Sequence, residues 1–158
     1  MRLKIICPGK AKGPYQELSS EYVKRIGAYA QVSVIETPEV RYVKEPPPKE
    51  RDRILAAEAA AIQAKLDPRD CLIALDVRGR ELSSEEFAAY LGERTARGVS
   101  SFSLIIGGSL GLDAALKARA DLCLSLSRMT LPHLLARVVL LEQVYRALSI
   151  LRGDPYHK

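Results

Sequence analysis

Residues 70–76 read Asp-Cys-Leu-Ile-Ala-Leu-Asp, five apolar residues held between two carboxylates. A short apolar run with no polar alternation suits a central strand covered on both faces, as in a parallel sheet. On either side of it the apolar spacing switches repeatedly between strand and helix. Upstream, Arg2 to Cys7 is a β-rich run stopped by Pro8-Gly9, and Tyr15 to Ala30 places Leu18, Tyr22, Ile26 and Tyr29 at helical spacing. Gln31 to Glu36 alternates and is β-branched, whereas Thr37 to Pro48 holds four prolines and reads as loop. Glu50 to Leu66 is an alanine-rich helix with Ile54, Leu55, Ala61, Ile62 and Leu66 along one side.

Downstream, Ser83-Ser84-Glu85-Glu86 is a capping box that opens a helix running to about Gly98. Phe102 to Ile106 reads as the fourth strand, Gly107 to Gly111 as a glycine loop, Asp113 to Ala120 as a short helix and Asp121 to Ser125 as the fifth strand. Leu126 to Leu131 is a mixed loop. Pro132 stands at a helix start, where proline is tolerated, and Leu134, Leu135, Val138, Leu141, Tyr145 and Leu148 stripe the last helix to about Arg152. Five strands alternating with helices predict an α/β fold, a mostly parallel sheet with helices on both faces, in a single domain over 1–158.

Composition narrows the function classes. At 158 residues and 47% hydrophobic content the chain can bury a core without a metal or disulfide staple. Its apolar runs are too short for a membrane span or a signal-peptide core, so a cytoplasmic location is expected. Cys7, Cys71 and Cys123 are odd in number and lack C-x-x-C spacing, which predicts small buried hydrophobes rather than a disulfide or zinc site. The net charge of +5 is uneven: residues 1–31 hold six basic and two acidic groups, 32–125 thirteen and fifteen, and 126–158 five and two. Basic ends admit a polyanionic partner, although a solvated basic surface is about as common.

Ligands of open α/β sheets bind beyond the carboxyl ends of the strands. Three segments fall there: Leu75 to Gly79, the glycine loop 107–111, and Leu126 to Pro132. The glycine loop is neither a dinucleotide fingerprint nor a P-loop, and it is either a bare turn or a backbone cradle, in which a side chain at Gly107 would fill the ligand's space. Gly107-Gly108-Ser109-Leu110-Gly111 also matches G-x-S-x-G, with Asp121 and His133 following in hydrolase order. Against that reading, Asp121 precedes a strand and belongs at the opposite sheet edge from Ser109. His133 at a helix entrance, His157 in the closing Asp154-Pro155-Tyr156-His157-Lys158, and Arg137, Arg146 and Arg152 beside the last apolar stripe complete the candidates.

Leu75-Asp76 with Gly79, Ile106-Gly107-Gly108 to Gly111-Leu112, Leu124 to His133, Glu142-Gln143 to Tyr145-Arg146-Ala147, and the terminal Pro155-Tyr156-His157 together resemble the bacterial ribosomal RNA large subunit methyltransferase H family over the whole chain. The resemblance implies a SPOUT-type fold with a C-terminal trefoil knot and a homodimer. It also implies methyl transfer from S-adenosylmethionine to N3 of a pseudouridine in 23S ribosomal RNA, on the large subunit or whole ribosome, without a metal. The family's cofactor pocket maps onto Leu75, Gly107, Leu126, Ser127, Arg128, Met129, Thr130 and Leu131. Catalytic candidates for handling the N3 proton are His133, Arg137, Tyr156 and His157, the tail reaching into the partner chain's pocket. Under this reading Lys10, Lys12, Lys24, Arg25, Arg128 and Arg137 are candidate phosphate contacts.

Overall fold

A computed structural model describes residues 1–157. Its elements are β1 (Arg2–Pro8), α1 (Pro14–Ile26), β2 (Gln31–Thr37), α2 (Pro48–Gln63), β3 (Cys71–Glu81), α3 (Ser84–Ala96), β4 (Ser101–Ile105), α4 (Ala114–Arg119), β5 (Leu122–Ser125) and α5 (His133–Arg152). The strands form one sheet in the order β2-β1-β4-β3-β5, and every pairing is parallel. The expected class is therefore the observed one. The 70–76 run supplies the buried start of β3, which lies between β4 and β5.

Alternating side chains send each strand's residues to two layers. Leu3, Ile5, Ile73 and Leu104 join Ile26 of α1, Leu91 of α3 and Val144 of α5 on one face. Ile6, Leu72, Ala74 and Ile105 pack with Ile62 of α2 and Leu116 of α4 on the other. The capping box is made as read: the Glu86 amide donates to Ser83 Oγ at 3.2 Å and the Ser83 amide donates to Glu86 Oε2 at 2.7 Å. Asp113 caps α4 through the Ala115 amide at 2.8 Å.

Two expectations change. Residues 76–79 are not loop: β3 continues to Glu81, with Leu75 and Arg80 both set against Leu124 of β5 across a register shift. A Cβ on Gly79 would lie 2.6 Å from the Cys123 carbonyl oxygen, so only glycine lets this extension lie against β5 so closely. Cys7 and Cys71 are buried as expected, but Cys123 is only half-buried. Among the described residues no helix is long and apolar enough to cross a membrane, and no cluster of three metal-ligating side chains occurs.

Candidate functional site

The three candidate segments, the first of them now part of β3, meet in one cavity of about 720 Å³. Leu75, Gly107, Leu126, Ser127, Met129, Thr130 and Leu131 all line it, and Arg128 does not. Loop shape comes from the chain's own hydrogen bonds. Ser127 Oγ accepts the Met129 amide at 3.0 Å, and the Ser125 hydroxyl donates to the Ser127 carbonyl at 3.0 Å. The glycine loop closes through the Gly111 amide on the Gly108 carbonyl at 3.0 Å, with Gly111 at φ +84°, a conformation that favours glycine. A Cβ on Gly107 would sit 2.3 Å from the Gly111 carbonyl carbon. Gly107 is thus demanded by the loop's own return; the expectation that a side chain there would simply occupy ligand space is corrected.

Charge at the cavity is sparse. Lys117 Nζ pairs with Asp76 Oδ2 at 2.8 Å, and that contact holds the Asp76 carboxyl below its ordinary pKa. His133, in the first turn of α5, also lines the cavity, and its Nε2 lies 3.6 Å from Glu39 Oε1. Gly9 fits beside this pair: a Cβ there would come within 3.0 Å of Glu39 Oε2 and 3.3 Å of His133 Nε2.

The hydrolase arrangement is absent. Asp121 Oδ2 accepts the Leu72 amide at 2.8 Å, at the amino end of β3, while Ser109 follows the carboxyl end of β4. His133 faces Glu39 instead of a serine.

The other candidates lie elsewhere. Arg137 is 1% exposed, donating from Nη1 to Glu36 Oε1 at 3.0 Å and to Cys7 Sγ at 3.2 Å, while its Nε has no partner. Burial works against its charge, yet Cys7 and Glu36 more than offset that and raise its pKa. Its depth corrects its expected role as a phosphate contact. It lines a second cavity of about 390 Å³ between α1 and β2, with Lys10, Lys24 and Glu36.

Tyr156 and His157 fold back onto α5 of their own chain. The Tyr156 hydroxyl donates to Glu142 Oε1 at 3.2 Å, and its ring lies edge-on to Tyr145 with centroids 4.6 Å apart. Burial, with Tyr22 and Glu142 nearby, pushes the Tyr156 phenol up to about 12. His157 Nε2 meets Glu85 Oε1 at 2.8 Å, and the Arg146 guanidinium lies over the Tyr156 ring. Glu142 is nine residues beyond His133, roughly 13 Å along the helix. Within one chain, then, His133 stands at the cavity while Arg137 and the tail stand apart from it.

Sequence reasoning passed over Glu36, Glu39 and above all Glu58, which is 4% exposed beneath the glycine loop. A signal existed for the last. Ile54, Glu58 and Ile62 recur every four residues, and all three are the buried residues of α2.

The family model described as predicted SPOUT methyltransferase matches residues 1–157. A ribosomal RNA large subunit methyltransferase H from Carboxydothermus hydrogenoformans is 45% identical over 159 aligned residues, covering 100% of both chains. Among solved structures, a probable methyltransferase from Bordetella pertussis Tohama I superposes with a TM-score of 0.57 at 14% identity, over 92% of this chain and 95% of that one. A probable methylase family protein from Haemophilus influenzae Rd KW20 gives 0.54 at 15% identity, over 99% of this chain and 70% of that one. The two solved structures share the fold, and the sequence matches run the length of the chain. It belongs to the SPOUT methyltransferase family.

Proposed function

We propose that this chain transfers the methyl group of S-adenosylmethionine to N3 of a pseudouridine in 23S ribosomal RNA, acting in the cytoplasm as a homodimer on the large subunit or assembled ribosome. The observation that carries the reading is the single cavity built from Leu75, the glycine loop and residues 126–131. The full-length relative named as a large-subunit ribosomal RNA methyltransferase supports the substrate class.

The residues present fit the cofactor. A volume of about 720 Å³ lies within the span of small-molecule sites. Leu75, Leu126 and Leu131 offer apolar walls for a flat purine, and the glycine loop and the 126–131 backbone offer amides and carbonyls for its polar edge. When bound, S-adenosylmethionine supplies a methyl group already activated by its sulfonium. The protein's task is then alignment, a contribution of up to roughly 7–11 kcal/mol, together with exclusion of water.

The uracil N3–H must lose its proton. His133 lines the cavity with the Glu39 carboxylate behind it, and in this reading Glu39 orients its ring so that the imidazole accepts that proton. Tyr156, its phenol held neutral, serves as a hydrogen-bond donor to the base. The tail's anchor at Glu142 lies roughly 13 Å along α5 from His133, and in this reading Tyr156 and His157 serve the cavity of the partner chain instead of their own. Arg137 acts from within the fold, holding Glu36 and the β1–β2 end in place. In this reading the C-terminal part forms the trefoil knot of the SPOUT family to which the chain belongs. Lys10, Lys12, Lys24, Arg25 and Arg128, all exposed, are left as phosphate contacts.

Calorimetry with S-adenosylmethionine in the presence of a chelator, paired with labelled methyl transfer to ribosomes from a strain lacking the activity, tests the reading. Saturable metal-free binding and incorporation are expected. No incorporation into any ribosomal or free RNA overturns it.

A further inference from the structure

Arg137 and Glu58 are the residues of the charged types (Asp, Glu, Lys, Arg) that are buried as whole residues among those described. Arg137 has a carboxylate and a thiol. No cation among the described residues pairs with Glu58. Its Oε1 accepts the Val40 amide at 3.2 Å, and its Oε2 is buried without a hydrogen-bond partner. Burial raises the carboxyl's pKa and the nearby Glu39 charge adds to this, while the Val40 and Gly108 amides act in the opposite sense.

The position of this carboxylate is unusual. A Cβ on Gly108 would lie 2.6 Å from Oε2 and 2.8 Å from Oε1, so the glycine loop rests directly on the carboxylate. Gly108 also lines the large cavity on its other side. The Val40 amide belongs to the proline-rich segment between β2 and α2, next to Glu39, the residue that faces His133. One carboxylate therefore touches both the floor of the cavity and the segment that carries the histidine's partner. An apolar side chain of similar size on the α2 stripe would avoid the cost of burying an uncompensated charge.

We propose that Glu58 is a positioning residue for the methyl transfer proposed above: by contacting the Gly108 loop and the Val40 amide together, it sets the distance between the cavity floor and the Glu39–His133 pair. The inference rests on that functional reading, but its test separates the two.

Glu58→Met and Glu58→Gln are compared with wild type for S-adenosylmethionine affinity, thermal midpoint, and kcat and KM on ribosomes. Glu58→Met is expected to keep or raise the midpoint, because a buried unpaired charge is removed. Its kcat is expected to fall about tenfold or more, as displacement of aligned groups does, with the ribosome KM unchanged. Glu58→Gln retains one acceptor oxygen for the Val40 amide and should rescue part of the loss. Combined with Glu39→Gln, the effect on kcat should be less than multiplicative, since both act through His133.

A folded Glu58→Met enzyme with wild-type kcat overturns the proposal, as does a strictly multiplicative double variant. If Glu58→Met does not fold, Glu58→Gln decides: an intermediate kcat supports the proposal and a wild-type kcat overturns it. A wild-type protein that neither binds the cofactor nor methylates ribosomes sinks the functional reading itself.

Discussion

Replacing Gly107 by alanine perturbs the cavity at its tightest point. The added Cβ would stand 2.3 Å from the Gly111 carbonyl carbon, 2.4 Å from its oxygen and 2.7 Å from the Leu112 nitrogen. Carbon contacts settle near 3.5–4.0 Å, so the 111–112 backbone must withdraw by about 1 Å or more. All three obstacles are main chain, and no side-chain rotation relieves them. Overpacking of this kind costs about 1–3 kcal/mol of stability, which a domain of this size tolerates. Because the displaced segment lines the cavity, methyl transfer should suffer more than stability does, by about 100-fold for a 1 Å misplacement. Gly98→Ala is the control. It too has positive φ, at +92°, yet nothing lies within 4 Å of its Cβ and it sits just before β4, away from the cavity. Calorimetric affinity for S-adenosylmethionine and thermal midpoints are measured on both variants. The control should lose midpoint only, and Gly107→Ala should lose affinity. A folded Gly107→Ala protein with wild-type affinity would refute the placement of the cofactor.

Other perturbations separate site from scaffold. Deleting residues 155–158 should spare cofactor affinity and abolish turnover on ribosomes; surviving turnover removes the tail from the site. Ser109→Ala should retain full methyl transfer and the parent protein should resist fluorophosphonate labelling, since Asp121 lies at the other sheet edge. Asp70 predicts an acid limb. Burial would raise its pKa, but Lys4 at 2.8 Å and the Ser103 hydroxyl at 2.6 Å outweigh it and bring the carboxyl to about 2, against 3.8 unperturbed. A depressed carboxylate stabilises the fold above pH 4 and ceases to do so as pH falls toward 2, a change of about 2 kcal/mol. Urea unfolding between pH 6 and pH 2 should show that loss in wild type and a flatter profile in Asp70→Asn; equal slopes contradict the assignment.

Much of the architecture was legible in local pattern. The unbroken 70–76 run, the β-branched 31–36 run and the capping box at Ser83 each carry a short-range signal that tertiary context did not override. The strand order did not follow from pattern, because nothing local says that β1 pairs with both β2 and β4. The continuation of β3 through Asp76 to Glu81 was hidden for a related reason: its charges and Gly79 read as loop, and it is strand only because β5 lies alongside. Placing the ligand-binding ends of three strands found the cavity and all its expected lining except Arg128. Arg137 resembled a surface arginine beside an apolar stripe, and only its pairing with Glu36 from β2 reveals why it turns inward. Glu58 was overlooked because a carboxylate in an alanine-rich helix ordinarily faces water; its spacing from Ile54 and Ile62 was the clue.

The most direct measurement is mass-spectrometric mapping of the nucleotide modified when the purified protein and labelled S-adenosylmethionine meet ribosomes from a strain lacking the activity. The predicted result is one labelled methyl group on N3 of a single pseudouridine of 23S ribosomal RNA. Label on any other nucleotide, or none at all from protein that binds the cofactor, would contradict it.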